Sequence, residues 1–310
     1  MKIASFFSGA GGMDLGFQKA GFDIIWANEF DKSIWETHKK NFPKTKLNTD
    51  SITEVNSKDV PDIDGIIGGP PCQSWSVAGS KKGIKDKRGQ LFYDFIRMIE
   101  EKQPKFFVAE NVAGMLSKRN EVALQNIKEM FEGVGYNLSF DLLDAVDYDV
   151  AQNRKRVFFV GYRNDLKKEF TSPTKEKNKL VLSDVLTDIP KENNEYLEGS
   201  FSSMYMSRNR VRAYDEPSFT IQASGRHCPI HPQAPKMELI KTDMRRFVEG
   251  KEDLYRRFTV RECARIQSFP DDFIFYYDKI ENGYKMVGNA VPVNLAYAIA
   301  KKIKKDLEWK

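Results

Sequence analysis

The run Gly68-Gly69-Pro70-Pro71-Cys72 sets a thiol directly behind two prolines, whose rings stiffen the chain just before a potential nucleophile. A short apolar run ends at Gly68, so Cys72 follows the carboxyl end of a strand, where open α/β sheets place their ligands. An inert core cysteine belongs inside an apolar run; this setting favours a reactive one. Glu110 is placed the same way, after Phe106-Phe107-Val108-Ala109, and a carboxyl partly desolvated at a strand end is a candidate acid or hydrogen-bond partner. In Gln152-Asn153-Arg154-Lys155-Arg156, an extended chain would point Arg154 and Arg156 to one side. Taken singly, each of these charged groups serves equally well in a surface ion pair.

A second kind of chemistry lies near the start. Phe6-Phe7-Ser8-Gly9-Ala10-Gly11-Gly12-Met13 runs from an apolar segment through glycines into a helical pattern, and glycines let a ligand approach backbone at a helix N-terminus. By itself the pattern fits a nucleotide turn or a tight structural turn. Glu29, twenty residues after Gly9 at the end of the next apolar run, tips the balance, because a carboxylate there accepts hydrogen bonds from ribose hydroxyls. Asp50, after the third apolar stretch, suits either an adenine amino group or a helix cap.

The elements that must position these groups are legible as short apolar runs at 3–7, 23–28, 65–68, 106–109 and 157–161. Helical patterns lie between them, such as Leu91, Phe92, Phe95, Ile96 and Ile99. Alternation of this kind predicts an α/β fold: a mostly parallel, Rossmann-like sheet with helices on both faces. From about Thr171 the chain turns polar, Pro-rich and poor in periodic runs, so a second, smaller, loop-rich domain is expected, with amphipathic helix returning near the end. The expected boundaries are 1–172 and 282–310 for a large discontinuous domain and 173–281 for the small one.

The chain has 310 residues, 41% hydrophobic and 30% charged, which excludes a disordered or fibrous chain. Three cysteines are too few for a disulfide framework, and neither a membrane span nor a signal-peptide core is visible, so a cytoplasmic location is expected. The net charge of +5 is unevenly placed. Residues 201–260 hold eleven Lys/Arg against seven Asp/Glu, eight of the eleven being Arg, and Ser80 to Arg88 holds five basic residues against one acidic. Two cationic patches on a near-neutral body suit either a polyanionic partner or solvated faces. His227-Cys228-Pro229-Ile230-His231 has metal-like spacing but lacks a fourth ligand, so no metal is expected.

The ordered set FSGAGGMDLGF, NEFD, GGPPCQSWS, ENV, QNRKRVFFVGYRNDL, RECARIQSFPDDF and YKMVGNAVP resembles the motif series of the C5-cytosine DNA methyltransferases, from near residue 5 to near residue 292. The variable stretch MSRNRVRAYDEPSFTIQASGRHCPIHPQAP is most similar to bacterial restriction-modification methylases of GGCC specificity. The resemblance implies methyl transfer from S-adenosylmethionine, leaving S-adenosylhomocysteine, to C5 of a flipped-out cytosine in duplex DNA, the inner one of GGCC. It implies a monomer working beside the nucleoid, paired with a restriction endonuclease of the same specificity.

On this resemblance Cys72 is the nucleophile that adds to C6, Glu110 binds N3 and the amino group, and Arg156 with Arg154 fixes O2. The implied cofactor set is Phe7, Gly9, Ala10, Gly11, Gly12, Glu29, Asp50, Ser51, Pro70, Asn289 and Ala290. Ser76, Lys81, Lys82 and Arg88 are expected to close on phosphates from a glycine-punctuated loop. Arg208, Arg210 and Arg226 are expected to read guanines, since a guanidinium bonds the guanine edge in two places. Met204 or Tyr205 is expected to wedge into the gap left by the flipped base, and Cys263 to be a packed helix residue. The rival readings are a tRNA cytosine-5 methyltransferase on the same scaffold, which does not need the Arg-rich segment, and a non-catalytic DNA-binding regulator, which does not need Cys72, Glu110 and Arg156 together.

Overall fold

In a computed structural model the described residues are 1–71 and 87–309, without the side chains of Lys87 and Arg88. Cys72, Ser76, Lys81 and Lys82, and the side chain of Arg88, lie outside them. The chain divides into two compact units, the first comprising Met1–Asp144, Lys155–Thr174 and Ala296–Lys310, the second Ala145–Arg154 and Lys175–Leu295.

The first unit is built on strands β1 (Lys2–Phe6), β2 (Asp23–Asn28), β3 (Lys46–Asn48), β4 (Gly65–Gly68), β5 (Phe106–Val112), β6 (Tyr136–Asp144) and β7 (Lys155–Arg163). They form one sheet in the order β3-β2-β1-β4-β5-β7-β6. The five strands from β3 to β5 pair in parallel; β7 pairs antiparallel with both β5 and β6. The parallel strands are covered on both faces, which is why Ile66, Ile67, Phe106, Phe107 and Val108 are continuous apolar residues with no exposure.

Helices α1 (Gly12–Lys19), α2 (Trp35–Asn41), α3 (Lys87–Lys102) and α4 (Glu121–Gly133) cross between the strands. Phe92, Phe95 and Ile99 of α3 and Ile127 and Phe131 of α4 pack with Phe6, Phe107, Tyr136 and Phe159 in one core cluster. Phe17 of α1 lies with Phe22 and Phe106 in a second aromatic group. The strand order reverses beside β1 and β4, where the chain leaves β1 into the glycine turn and β4 towards Cys72.

The second unit has little regular structure: a hairpin of β8 (Glu238–Lys241) and β9 (Met244–Arg246), the one-turn α5 (Leu182–Val185), α6 (Val260–Ile266) and α7 (Ile280–Asn289). A last helix, α8 (Val293–Asp306), starts in this unit and from Ala296 on belongs to the first. Thr259 and Glu262 cap the start of α6 reciprocally. Tyr205, Val211, Ile230, Ala234, Met237 and Tyr255 form a small core. Cys228 and Cys263 are both buried, with their sulfurs 3.5 Å apart. No helix among the described residues is long and apolar enough to cross a membrane.

His231 makes this unit acid-sensitive. It is buried beside Glu262, 3.5 Å from Nε2, with Arg256 bonded to the same carboxylate, and its Nδ1 accepts the Gln233 N–H. Burial pulls its pKa from 6.5 down to about 4, Glu262 opposing and Arg256 assisting. Between about pH 4 and pH 6.5 the folded chain therefore holds a neutral imidazole where the unfolded chain holds an imidazolium. Stability present above pH 6.5 is lost as pH falls towards about 4. Thermal melts from pH 7 to pH 4.5 should show a falling midpoint, and His231→Asn, whose amide oxygen can accept from Gln233, should flatten the upper part of that slope. An unchanged slope would reject the assignment.

Candidate functional site

The glycine turn leaves β1 with alternate residues in the left-handed region: Phe7 at φ 52°, Gly9 at 55° and Gly11 at 91°. A side chain on Gly11 would also collide with the Phe42 ring at 2.2 Å, whereas a Cβ on Gly9 would meet no atom within 4 Å, so that side of the turn is open. Ala10 is buried, and Gly12 opens α1 directly after the turn. Beneath it, the buried Asp14 carboxylate accepts the Ser5 hydroxyl at 2.5 Å and lies 3.1 Å from His38 Nε2, joining α1, β1 and α2.

Glu29 follows β2 and grips the turn directly. Its Oε2 accepts the Gly9 N–H at 2.9 Å and its Oε1 the Asp31 N–H at 2.7 Å. Burial raises its pKa, opposed by the two N–H bonds. Each carboxylate oxygen keeps a further lone pair for ribose hydroxyls. Beside it Phe30 exposes 70% of its surface, an aromatic face on which a purine can stack; no periodicity marks this residue. Asn28, also unforeseen, donates to Asn48 Oδ1 at 2.8 Å and to the Asp50 carbonyl at 2.9 Å, and Asn48 donates to the Asp50 carboxylate at 3.0 Å. These bonds fix the exposed Asp50, while Ser51 bonds Thr53 through their hydroxyls.

Residues Gly9, Glu29, Phe30 and Asp50 therefore gather at the carboxyl ends of β1, β2 and β3. They offer carboxylate acceptors for hydroxyl groups and a ring. Ser8 adds a buried hydroxyl with no hydrogen-bond partner. This donor and acceptor set fits an adenosine-bearing cofactor.

At the ends of β5 and β7 the structure joins two predicted residues. Val112 pairs with Arg156, so Glu110, two residues earlier, is its diagonal neighbour on the same face. Arg156 Nε lies 2.8 Å from Glu110 Oε1, both side chains being largely buried. Oε2 faces the exit of β4, where a Cβ on Gly69 would lie 3.4 Å away. Asn111, pointing to the other face, donates to the carbonyl of buried Pro70 at 3.2 Å. Glu110 and the chain leading to Cys72 are thus fastened to one another.

Arg154 does not share this arrangement, which corrects the expectation that it faces the same side as Arg156. Regular alternation begins only with β7 at Lys155; Gln152 instead bridges Ser218, and Arg154 is buried in the second unit on main-chain carbonyls. Tyr205 is likewise corrected as a wedge: it is 2% exposed in the small core, whereas Met204 is 55% exposed. Asn289 ends α7, exposed between the buried Gly288 and Ala290.

Most of the arginines in 201–260 are occupied. Arg212, Arg246 and Arg256 pair with Glu216, Glu238 and Glu262. Arg245 bonds the Met237 carbonyl, and Arg257 those of Leu197, Gly199 and Ser200. Arg210 donates to the His227 carbonyl at 2.7 Å and lies over the Tyr205 and Phe219 rings. Among the described residues only Arg208 and Arg226 of the eight make no hydrogen bond, ion pair or ring contact, and both are exposed.

A family model described as C-5 cytosine-specific DNA methylase matches residues 1–305. The chain is 57% identical over 328 residues to the Type II methyltransferase M.FnuDI of Fusobacterium nucleatum, covering 99% of this chain and 95% of that one. It is 56% identical over 329 residues to the Type II methyltransferase M.NgoPII of Neisseria gonorrhoeae, covering 99% and 96%. In fold it is similar to the methyltransferase EhMeth of Entamoeba histolytica, with TM-score 0.78, 19% identity and coverage of 99% and 98%.

Proposed function

The chain belongs to the C-5 cytosine-specific DNA methylases and is a DNA cytosine-5 methyltransferase of the Type II restriction-modification kind; on that premise we propose that it modifies the inner cytosine of GGCC after turning that base out of the duplex. A restriction endonuclease cutting the same site is its proposed counterpart, with action as a monomer in the bacterial cytoplasm. The observation that carries the proposal is the Glu110–Arg156 pair at the sheet's carboxyl edge, fastened to the chain that leads to Cys72. Such a pair can grip the Watson–Crick edge of a cytosine only when that edge is unpaired.

Cytosine C5 is a poor nucleophile while the ring is aromatic. The Cys72 thiolate adds to C6, the sulfur–carbon bond drawing ring electrons towards N3, where Glu110 supplies a proton, and C5 becomes nucleophilic. S-adenosylmethionine, as methyl donor, supplies an electrophilic methyl group on a sulfonium. Once C5 carries the methyl, its proton leaves to a base such as water, the N3 proton returns to Glu110 and the thiolate is expelled, which restores the aromatic ring. Arg156 fixes the Glu110 carboxyl and the base O2.

Phe7, Gly9, Ala10, Gly11, Gly12, Glu29, Asp50, Ser51 and Pro70 are proposed to hold the cofactor, with Phe30 stacking its adenine; Asn289 and Ala290 are assigned to it on the resemblance alone. Ser76, Lys81, Lys82 and Arg88 are proposed phosphate contacts. Arg208 and Arg226, free of internal partners, are the proposed guanine readers; Arg210, anchored on His227, lends its remaining donors.

Glu29→Gln should weaken S-adenosylhomocysteine binding by about tenfold or more, since one of its two N–H acceptors becomes a donor and a charge-assisted ribose bond is lost. Phe30→Ala should weaken it by about fivefold, the loss of a stacked face. Calorimetric titration checks both, and unchanged affinity in both would remove the cofactor from this turn. The proposal as a whole is tested by transfer of labelled methyl groups to duplexes carrying each four-base palindrome, followed by bisulfite mapping. Modification confined to the inner cytosine of GGCC is expected; any other single sequence overturns the specificity.

A further inference from the structure

Arg154 is 1% exposed, and its guanidinium donates to three carbonyls of the second unit. Nη1 bonds Ile221 at 2.8 Å, and Nη2 bonds Gly288 at 2.8 Å and Ala290 at 3.0 Å. The last two carbonyls flank Asn289. Buried Gln152 reinforces the same crossing, accepting the Ile221 N–H at 2.8 Å and donating to Gln267 Oε1 at 3.1 Å, while Gln267 donates to the Val287 carbonyl. A Cβ on Gly288 would lie 2.3 Å from the Gln222 main chain, so the end of α7 and residues 221–222 meet with no side chain between them. Gln222 in turn lines a cavity of about 100 Å³ with Met204, Tyr205, Arg208, Arg210 and His227.

We propose that Arg154 is a positioning residue that locks the Asn289 turn and the Ile221–Gln222 segment into one piece, so that cofactor and DNA contacts are set together by a side chain touching neither. The inference rests on the function proposed above, with Asn289 on the cofactor and the arginine cavity on DNA. Its physical basis is the fork of the guanidinium, which reaches three acceptors at fixed angles in a buried site; lysine offers one point charge and cannot span them. Because the reacting atoms are untouched, losing the fork weakens both affinities and spares the chemical step.

The test compares the full-length wild-type protein with Arg154→Lys and Arg156→Lys. Affinity for S-adenosylhomocysteine is read by calorimetry, affinity for a fluorescent GGCC duplex by anisotropy, and kcat by methyl transfer at saturation. Arg154→Lys should weaken both ligands by about tenfold and keep kcat within about threefold, whereas Arg156→Lys should lose kcat chiefly. Loss of kcat with both affinities intact would make Arg154 a base contact and overturn the proposal, as would no change at all. If Arg154→Lys fails to fold, Gly288→Ala, which pushes the same two segments apart, decides: a paired loss of affinity supports the lock, and unchanged affinities overturn it. A wild-type protein that transfers no methyl group to DNA would instead defeat the function reading, while the binding measurements, needing no turnover, still judge Arg154.

Discussion

Replacing Cys72 with alanine should abolish methyl transfer, a fall of at least about 10⁴-fold in kcat, with S-adenosylhomocysteine affinity within about twofold of wild type. Two kinds of group could activate a pyrimidine at C5: a strong base that acts from outside the ring, or a nucleophile that bonds to it. Among the described residues no strong base stands at the Glu110–Arg156 site, where the carboxyl is tied to a guanidinium at 2.8 Å. A soft thiolate is suited to the bonded route. Serine should serve no better than alanine, because its hydroxyl holds its proton far above neutral pH. The scaffold would survive either change, since Asn111 anchors the neighbouring Pro70 through a main-chain carbonyl that the substitution leaves alone. Exchange of tritium from C5 of cytosine in DNA gives an independent readout, because it reports addition at C6 apart from methyl transfer. Exchange at the wild-type rate in Cys72→Ala would refute covalent activation.

The first unit was legible because its chemistry sits at strand ends and its strands are buried on both faces. Runs expected at 23–28 and 65–68 are β2 and β4 to the residue, which places Glu29 and Gly69 at strand ends without further information. β6 was missed because it is the sheet's outer strand, with Asn137, Phe140, Asp141 and Leu142 exposed, so neither a continuous apolar run nor a clean alternation marks it. Partners set by register or by tertiary contact were equally invisible: Asn111 on Pro70, Asn28 on Asn48, and Asp14 between Ser5 and His38. The Arg-rich segment shows the opposite failure, since charge counted along the chain takes no account of partners. Six of its eight arginines hold the second unit together through glutamates, carbonyls and rings, which a loop-rich fold needs where helix and sheet ladders do not satisfy its backbone. Arg154 belongs with these, and its spacing from Arg156 carried no hint of it because the alternation of β7 starts one residue later.

Glu110→Gln should lower kcat by about 10²–10⁴-fold, the range expected for loss of a general acid, while DNA affinity stays within about threefold. The two effects separate because of Arg156. Its Nε holds Oε1 at 2.8 Å and demands an acceptor, so a glutamine at this position must turn its amide oxygen to Arg156 and its nitrogen to the side that Oε2 occupied. That side faces the exit of β4, where the Cβ position of Gly69 is 3.4 Å from Oε2. The amide can therefore still donate a hydrogen bond to N3 of a bound cytosine and hold the base. What it cannot do is release the proton, so negative charge arriving at N3 as sulfur bonds C6 would go unneutralised and the barrier would rise in the chemical step alone. Single-turnover methyl transfer and equilibrium binding to the same duplex, measured side by side, distinguish this from simple loss of recognition. Loss of affinity with an unchanged single-turnover rate would make Glu110 a binding group only, and wild-type values for both would remove it from the reaction.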